Sequence, residues 1–232
     1  GGKLRRHLHD IADEAGQIKA EIVDAQTKRA EAVGGKESAE AARITATIDI
    51  ERIAAATPPD LLTFIEIPLD GDIDANIAAV ARAGRHAKVR MGGTTADMVP
   101  SPDAVVRFFA ACIVHGVTAK ATAGLHHPLR GTYRLTYEPD AATGRMYGFL
   151  NVALAVAHLS SGGSEAEAIA LLEEADAGRI EFSDLHVAWH GPNRTLTFTR
   201  DALQQMRAQG LVSFGSCSFT EPVDESRALG WL

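Results

Sequence analysis

Residues 87–93, AKVRMGG, and residues 119–130, AKATAGLHHPLR, decide how the rest of this chain is read. Each begins as an alternating run with a lysine on one face and a glycine four positions on: Lys88 with Gly92, Lys120 with Gly124. A helix-patterned stretch separates them, so their spacing is that of one strand–helix unit in a parallel α/β fold. Alternate residues of a strand share a face. Lys88, Arg90 and Gly92 therefore point one way, as do Lys120, Thr122 and Gly124. As parallel neighbours about 4.8 Å apart, the two strands would turn both ammonium groups into the same space.

Working outward, the run LLTFIEIPLDG, 61–71, predicts the preceding strand, with Glu66 embedded among apolar residues and sharing a face with Asp70. A carboxylate in that setting needs a cation. Asp72 is placed to cap a helix over Ile73–Ala83, ended by Gly84. Ser101 and Pro102 open a second helix that runs to His115 and stops at Gly116. Upstream, ARITATIDI, 42–50, has strand alternation, and Leu4–Val33 carries the single apolar stripe of a long helix ended by Gly34-Gly35.

Downstream, residues 132–144 read as a polar connection with a hairpin-like piece, and Met146–Leu159 is apolar over helix length with Asn151 inside it. Ser164 and Glu167 form a capping box for a helix through Ala175. Residues 180–198 read as one or two short peripheral strands. Thr199 or Asp201 starts a helix stopped by Gly210, and LVSFG, 211–215, is the last strand, followed by the small-residue loop SCSFTEP and a short terminal segment. The expected architecture is α/β: one domain over 1–232, a (β/α) TIM-type barrel, incomplete or irregular, with residues 1–35 packing on it as an N-terminal helix. An open doubly wound sheet is the alternative.

Composition limits the function. The formal net charge of −7 argues against nonspecific binding of nucleic acid, while a local basic pocket for one small anion remains compatible. Two cysteines make no disulfide framework, which suits the cytoplasm. No run of about 18 apolar residues and no leader pattern is found, so neither membrane span nor signal peptide is expected. The chain opens Gly1-Gly2-Lys3 without methionine, as a piece of a longer protein would. No G-x-G-x-x-G or P-loop pattern occurs, and no cofactor is expected. A homo-oligomer through the long helix is compatible with the pattern.

In a parallel barrel the strand C-terminal ends and the loops after them build the site. That rule gathers Glu66, Asp70, Lys88, Arg90, Lys120, His126, His127 and Arg130 at one mouth, with Ser216, Cys217 and Ser218 after the last strand. Lys120 is the expected nucleophile or base and Lys88 its tuning neighbour, since an amine beside another cation is the arrangement that favours a neutral, nucleophilic nitrogen. Glu66 and one of His126 and His127 would move protons. Arg90 and Arg130 would hold a carboxylate or phosphate, helped by backbone amides of Gly92, Gly93, Ser216, Cys217 and Ser218. The plainer reading makes Glu66 and Lys88 a structural ion pair. A metal held by one of the two histidines with Glu66 or Asp70 is a further alternative.

AKATAG resembles the strand that carries the Schiff-base lysine in deoxyribose-phosphate aldolase and related class I aldolase barrels, and AKVRMGG resembles their neighbouring lysine strand, although the two occur here in the reverse order. A wider resemblance, over most of 63–230, is to an uncharacterised family of bacterial TIM-barrel-like proteins with the signatures K-x-R-x-G-G, K-A-T-A-G-L-H-H-P and F-G-S-C-S-F. These stand here at Lys88–Gly93, Lys120–Pro128 and Phe214–Phe219. The aldolase resemblance implies lyase chemistry on a small anionic carbonyl substrate; a noncatalytic small-anion-binding protein and a metal-assisted barrel enzyme are the other functional expectations.

Overall fold

The computed structural model describes residues 49–216, 218 and 220–232. The chain divides into two compact units, 1–58 and 59–232. In the first, residues 49–56 are helical, and the Thr57 hydroxyl donates to the Ile53 carbonyl at 2.6 Å. This corrects the strand expected over 42–50 at its C-terminal end. Asp49 and Ile50 open a helix because the residues that follow, ERIAAA, are mostly strong helix formers, and their preference outweighs two residues of alternation. The rest of that expected strand, the helix expected over 4–33, and Cys217 lie outside the described residues.

The second unit is mixed α/β. Its centre is a four-stranded parallel sheet of β1 (Phe64–Glu66), β2 (His86–Arg90), β3 (Ala119–Thr122) and β9 (Leu211–Phe214), in the order β1-β2-β3-β9. Helix α1 (Ile73–Arg82) joins β1 to β2, and α2 (Pro102–Val114) joins β2 to β3. Both begin where the sequence places a cap: the Asp72 carboxylate accepts from Ala75 N–H, and Ser101 Oγ from Ala104 N–H. Among the described strands, those consecutive along the parallel sheet are neighbours, and their order shows no reversal.

A long excursion separates β3 from β9. It holds a hairpin of β4 (Gly131–Arg134) and β5 (Thr143–Met146), helices α3 (Phe149–Ser160) and α4 (Glu165–Glu173), and an antiparallel sheet of β6 (Ile180–Phe182), β7 (His186–His190) and β8 (Thr195–Thr199). Three strands thus stand where one or two were expected, because Ser183 and His186 close a tight turn that splits the first run. Helix α5 (Arg200–Gln209), capped by Thr199, returns the chain to β9, and α6 (Thr220–Ala228) follows.

The two faces of the parallel sheet differ. Ile65, Ala87, Val89, Ala119, Ala121 and Leu211 are buried on one, and α1 and α2 pack against β2 there with Ile77, Val80, Val105 and Phe108 in the core. The alternate residues on the other face, Phe64, Glu66, His86, Lys88, Arg90, Lys120, Thr122 and Ser213, are half-buried or exposed.

Candidate functional site

Register sets the site. Glu66 pairs with Lys88, Lys88 with Lys120, and Lys120 with Ser213, so one row of side chains crosses all four strands on the accessible face. The Lys88 ammonium lies 2.8 Å from Glu66 Oε2, and the Arg90 guanidinium 3.3 Å from Glu66 Oε1. Burial pushes the Glu66 carboxyl up, but hydrogen bonds and charge from Lys88 and Arg90 outweigh it and hold the group below its ordinary value. The glutamate thus meets the cation expected of it, though it is 37% exposed rather than enclosed.

Lys120 sits next in the row. Among the described residues it forms no ion pair; its ammonium lies 6.0 Å from the centroid of the Phe64 ring. The sequence holds a signal here beyond strand pattern. After Lys36 the chain contains only two lysines, Lys88 and Lys120, and every other permanent cation is arginine. The two residues are register partners on β2 and β3.

The ends of these strands are tightly drawn together. Ala123 and Gly124 both have positive φ, +61° and +70°, which turns the chain sharply out of β3. A Cβ on Gly92 would lie 3.1 Å from the Gly124 Cα, and Gly93 is closed off by Met98. These glycines act as close-packed backbone at the mouth of the row.

The loop after β3 separates the two histidines. His126 is half-buried, with Nδ1 3.4 Å from Ser216 Oγ; burial and then His127 lower its affinity for a proton, while Glu221 opposes them. Ser216 Oγ also donates to the Ser218 carbonyl at 2.8 Å. His127 is buried at 6% exposure, stacks on Tyr133 with centroids 3.4 Å apart, and places Nδ1 at 2.8 and 3.0 Å from the two oxygens of Glu225. Glu225 and its neighbour Glu221 lie on α6, read from the sequence only as a terminal segment. Their signal was present: two glutamates four residues apart share a helix face.

Arg130 lies apart from the row. It is 8% exposed, with its guanidinium 4.5 Å over the Tyr147 ring and one nitrogen 3.7 Å from Glu173. Its backbone N–H donates to Asn151 Oδ1 at 2.8 Å, and the Asn151 amide donates in turn to the carbonyls of Leu171 and Glu174. Asn151 therefore ties the loop to α3 and α4. Asp70, in the bend after β1, is exposed. An open cleft lined by Glu173, Glu174, Asp176, Arg179 and Trp189 contains none of the row residues.

The described residues thus bring together Glu66, Lys88, Arg90 and Lys120 on one surface, with His126, Ser216 and Ser218 on the loops after β3 and β9. Among the described residues no helix is long and apolar enough to cross a membrane. In comparison with known proteins, no family model matches the chain, and no curated protein or solved structure does either.

Proposed function

We propose that the row on the accessible face of the parallel sheet is the active site of a lyase acting on a small anionic carbonyl compound, with Lys120 as its nucleophile. The observation that carries this reading is the direct pairing of Lys88 with Lys120, the only two lysines after Lys36. A cation needed only for solubility or anion binding is served by arginine, as it is elsewhere in this part of the chain. An amine is needed where nitrogen must attack carbon.

In this reading Glu66 holds Lys88 and Arg90 in place, and Arg90 receives the carboxylate or phosphate of the substrate. The Lys120 nitrogen adds to the carbonyl carbon and water leaves, giving an iminium ion. That ion accepts the electron pair released when the bond between its α and β carbons breaks, as a base removes the proton of the β-hydroxyl, whose oxygen becomes the carbonyl of the departing fragment. Protonation of the resulting enamine and addition of water then free the lysine. His126, beside Ser216 and held toward its neutral form, is the base. The fold reading behind it is a (β/α) barrel segment: sequential parallel strands with helices on one face leave the other as a barrel interior. The resemblance of the two lysine strands to class I aldolase barrels agrees with it.

The test is intact mass after borohydride treatment with a panel of small aldehydes and keto acids, on the unaltered chain and on Lys88→Ala and Lys120→Ala. A reduced adduct lost only in Lys120→Ala is expected. No adduct with any carbonyl compound, or one that persists in Lys120→Ala, would overturn the assignment. A second reading, capture of a small anion without turnover, rests on the Arg90–Glu66–Lys88 cluster. It predicts saturable stabilisation by inorganic phosphate or a dicarboxylate with no adduct.

A further inference from the structure

A second cluster of chemical groups lies outside the lysine row. His127, Glu221 and Glu225 each offer one donor atom, and the three atoms lie within 4.8 Å of one another. The two glutamates are one turn apart on α6, where like charges oppose each other. Among the described residues neither forms an ion pair with a lysine or arginine. Glu221 Oε2 accepts from the Tyr137 hydroxyl at 3.2 Å, and among the described residues the Glu225 carboxylate bonds only to the imidazole.

The imidazole is held in place from two sides. Tyr133 stacks on it with an interplanar angle of 8°, and the His127 backbone carbonyl accepts from Phe149 N–H at 2.9 Å. Ring and backbone are both fixed, while Glu221 and Glu225 stand on the solvent side, half-buried. A rigid nitrogen donor facing two adjustable carboxylates is the arrangement a metal ion completes.

The geometry points to a divalent first-row transition ion, with Zn2+ as its representative, bound by His127, Glu221 and Glu225 and completed by water. One nitrogen and two carboxylates suit this class, whereas Mg2+ and Ca2+ favour oxygen alone. Donors around Zn2+ at about 2.1 Å stand about 3.4 Å apart in a tetrahedron. The His127–Glu225 separations of 2.8 and 3.0 Å are already close to that, and since the three donor atoms lie within 4.8 Å of one another, Glu221 needs a side-chain adjustment of at most about 1.4 Å. Two positive charges would offset the two carboxylates and pin α6 to the loop after β3. The inference is independent of the amine chemistry proposed for Lys120.

Titrating the chelator-stripped full chain with zinc chloride in a calorimeter tests it, with Glu221→Gln and Glu225→Gln in parallel and circular dichroism to confirm folding. One saturable equivalent and a rise in melting temperature are expected, with affinity weakened at least about tenfold in each variant. Glu221→Gln is the discriminating variant because Glu221 makes no bond to His127. A purely structural His127–Glu225 pair leaves zinc binding absent or indifferent to Glu221→Gln, and either result overturns the proposal. Binding that survives both variants unchanged places the ion elsewhere and overturns it as well.

Discussion

Glu66 and Lys88 stand opposite each other on adjacent parallel strands and close an ion pair of 2.8 Å, while Lys120, the next residue in the same row, has no carboxylate partner among the described residues. One glutamate thus engages one lysine and one arginine, and leaves the second lysine to other work. Because Lys88 and Arg90 lower the Glu66 carboxyl below its ordinary 4.5, the pair contributes stability above that pH and loses it as pH falls through the lower folded-state value. Glu66→Gln should therefore lower the unfolding free energy read from urea denaturation at neutral pH, by less than about 1 kcal/mol for a pair about one-third exposed, and should match the unaltered protein in strong acid. An equal difference at both pH values would show that packing, not charge, is what the substitution removes.

Cys112 lies on the buried side of α2, and burial pushes its thiol up to about 12. The thiolate is the reactive form, so this residue is shielded twice, by access and by charge. Alkylation with iodoacetamide near pH 8 followed by peptide mapping should leave Cys112 unmodified in the native protein and modify it after denaturation. Rapid native modification would mean that α2 opens readily.

Much of this was legible along the chain because it is local. The alternations at 87–90 and 119–122 show one apolar and one polar face, and the caps Asp72, Ser101, Ser164 and Thr199 each bond within their own first turn. What escaped depends on distant partners. His127 meets Glu225 across 98 positions, and no spacing rule links them. Arg130 reads as an anion-binding arginine, and only the fold shows it over the Tyr147 ring with one nitrogen 3.7 Å from Glu173. At 49–50 a local preference misled, since two residues of alternation continue into a helix-forming run. The restriction of lysine to two facing positions after Lys36 was readable from composition, but its meaning appears only once the register is known.

Asn151 shows how loop position is maintained. Its side chain satisfies one buried backbone N–H and two backbone carbonyls, at 2.8 Å each. Truncation leaves all three without that partner, and each unmet buried group costs about 1 kcal/mol or more. Asn151→Ala should lose about 3 kcal/mol, seen as a melting temperature about 6–12 °C lower. It should also loosen the loop carrying His126 and His127, read as faster amide exchange at residues 125–130. A loss below about 1 kcal/mol would mean that water replaces the amide at no cost.

The close approach of β2 and β3 at their C-terminal ends gives the sharpest contrast between two glycines. A Cβ on Gly124 would lie 3.0 Å from the Gly92 Cα, 3.1 Å from the Met91 carbonyl oxygen and 3.2 Å from the Gly92 nitrogen, all backbone atoms with little room to give. Gly124 also has φ of +70°, which a side chain disfavours. Gly71, by contrast, has nothing within 4 Å of the same atom. Gly124→Ala should cost about 1–3 kcal/mol in urea unfolding, whereas Gly71→Ala should stay within about 0.5 kcal/mol. Parting the strand ends also shifts Lys120 against Lys88, so Gly124→Ala should slow borohydride trapping even where the protein remains folded. Equal stability and equal trapping in the two variants would show that the strand ends are free to separate, and that the row does not depend on their contact.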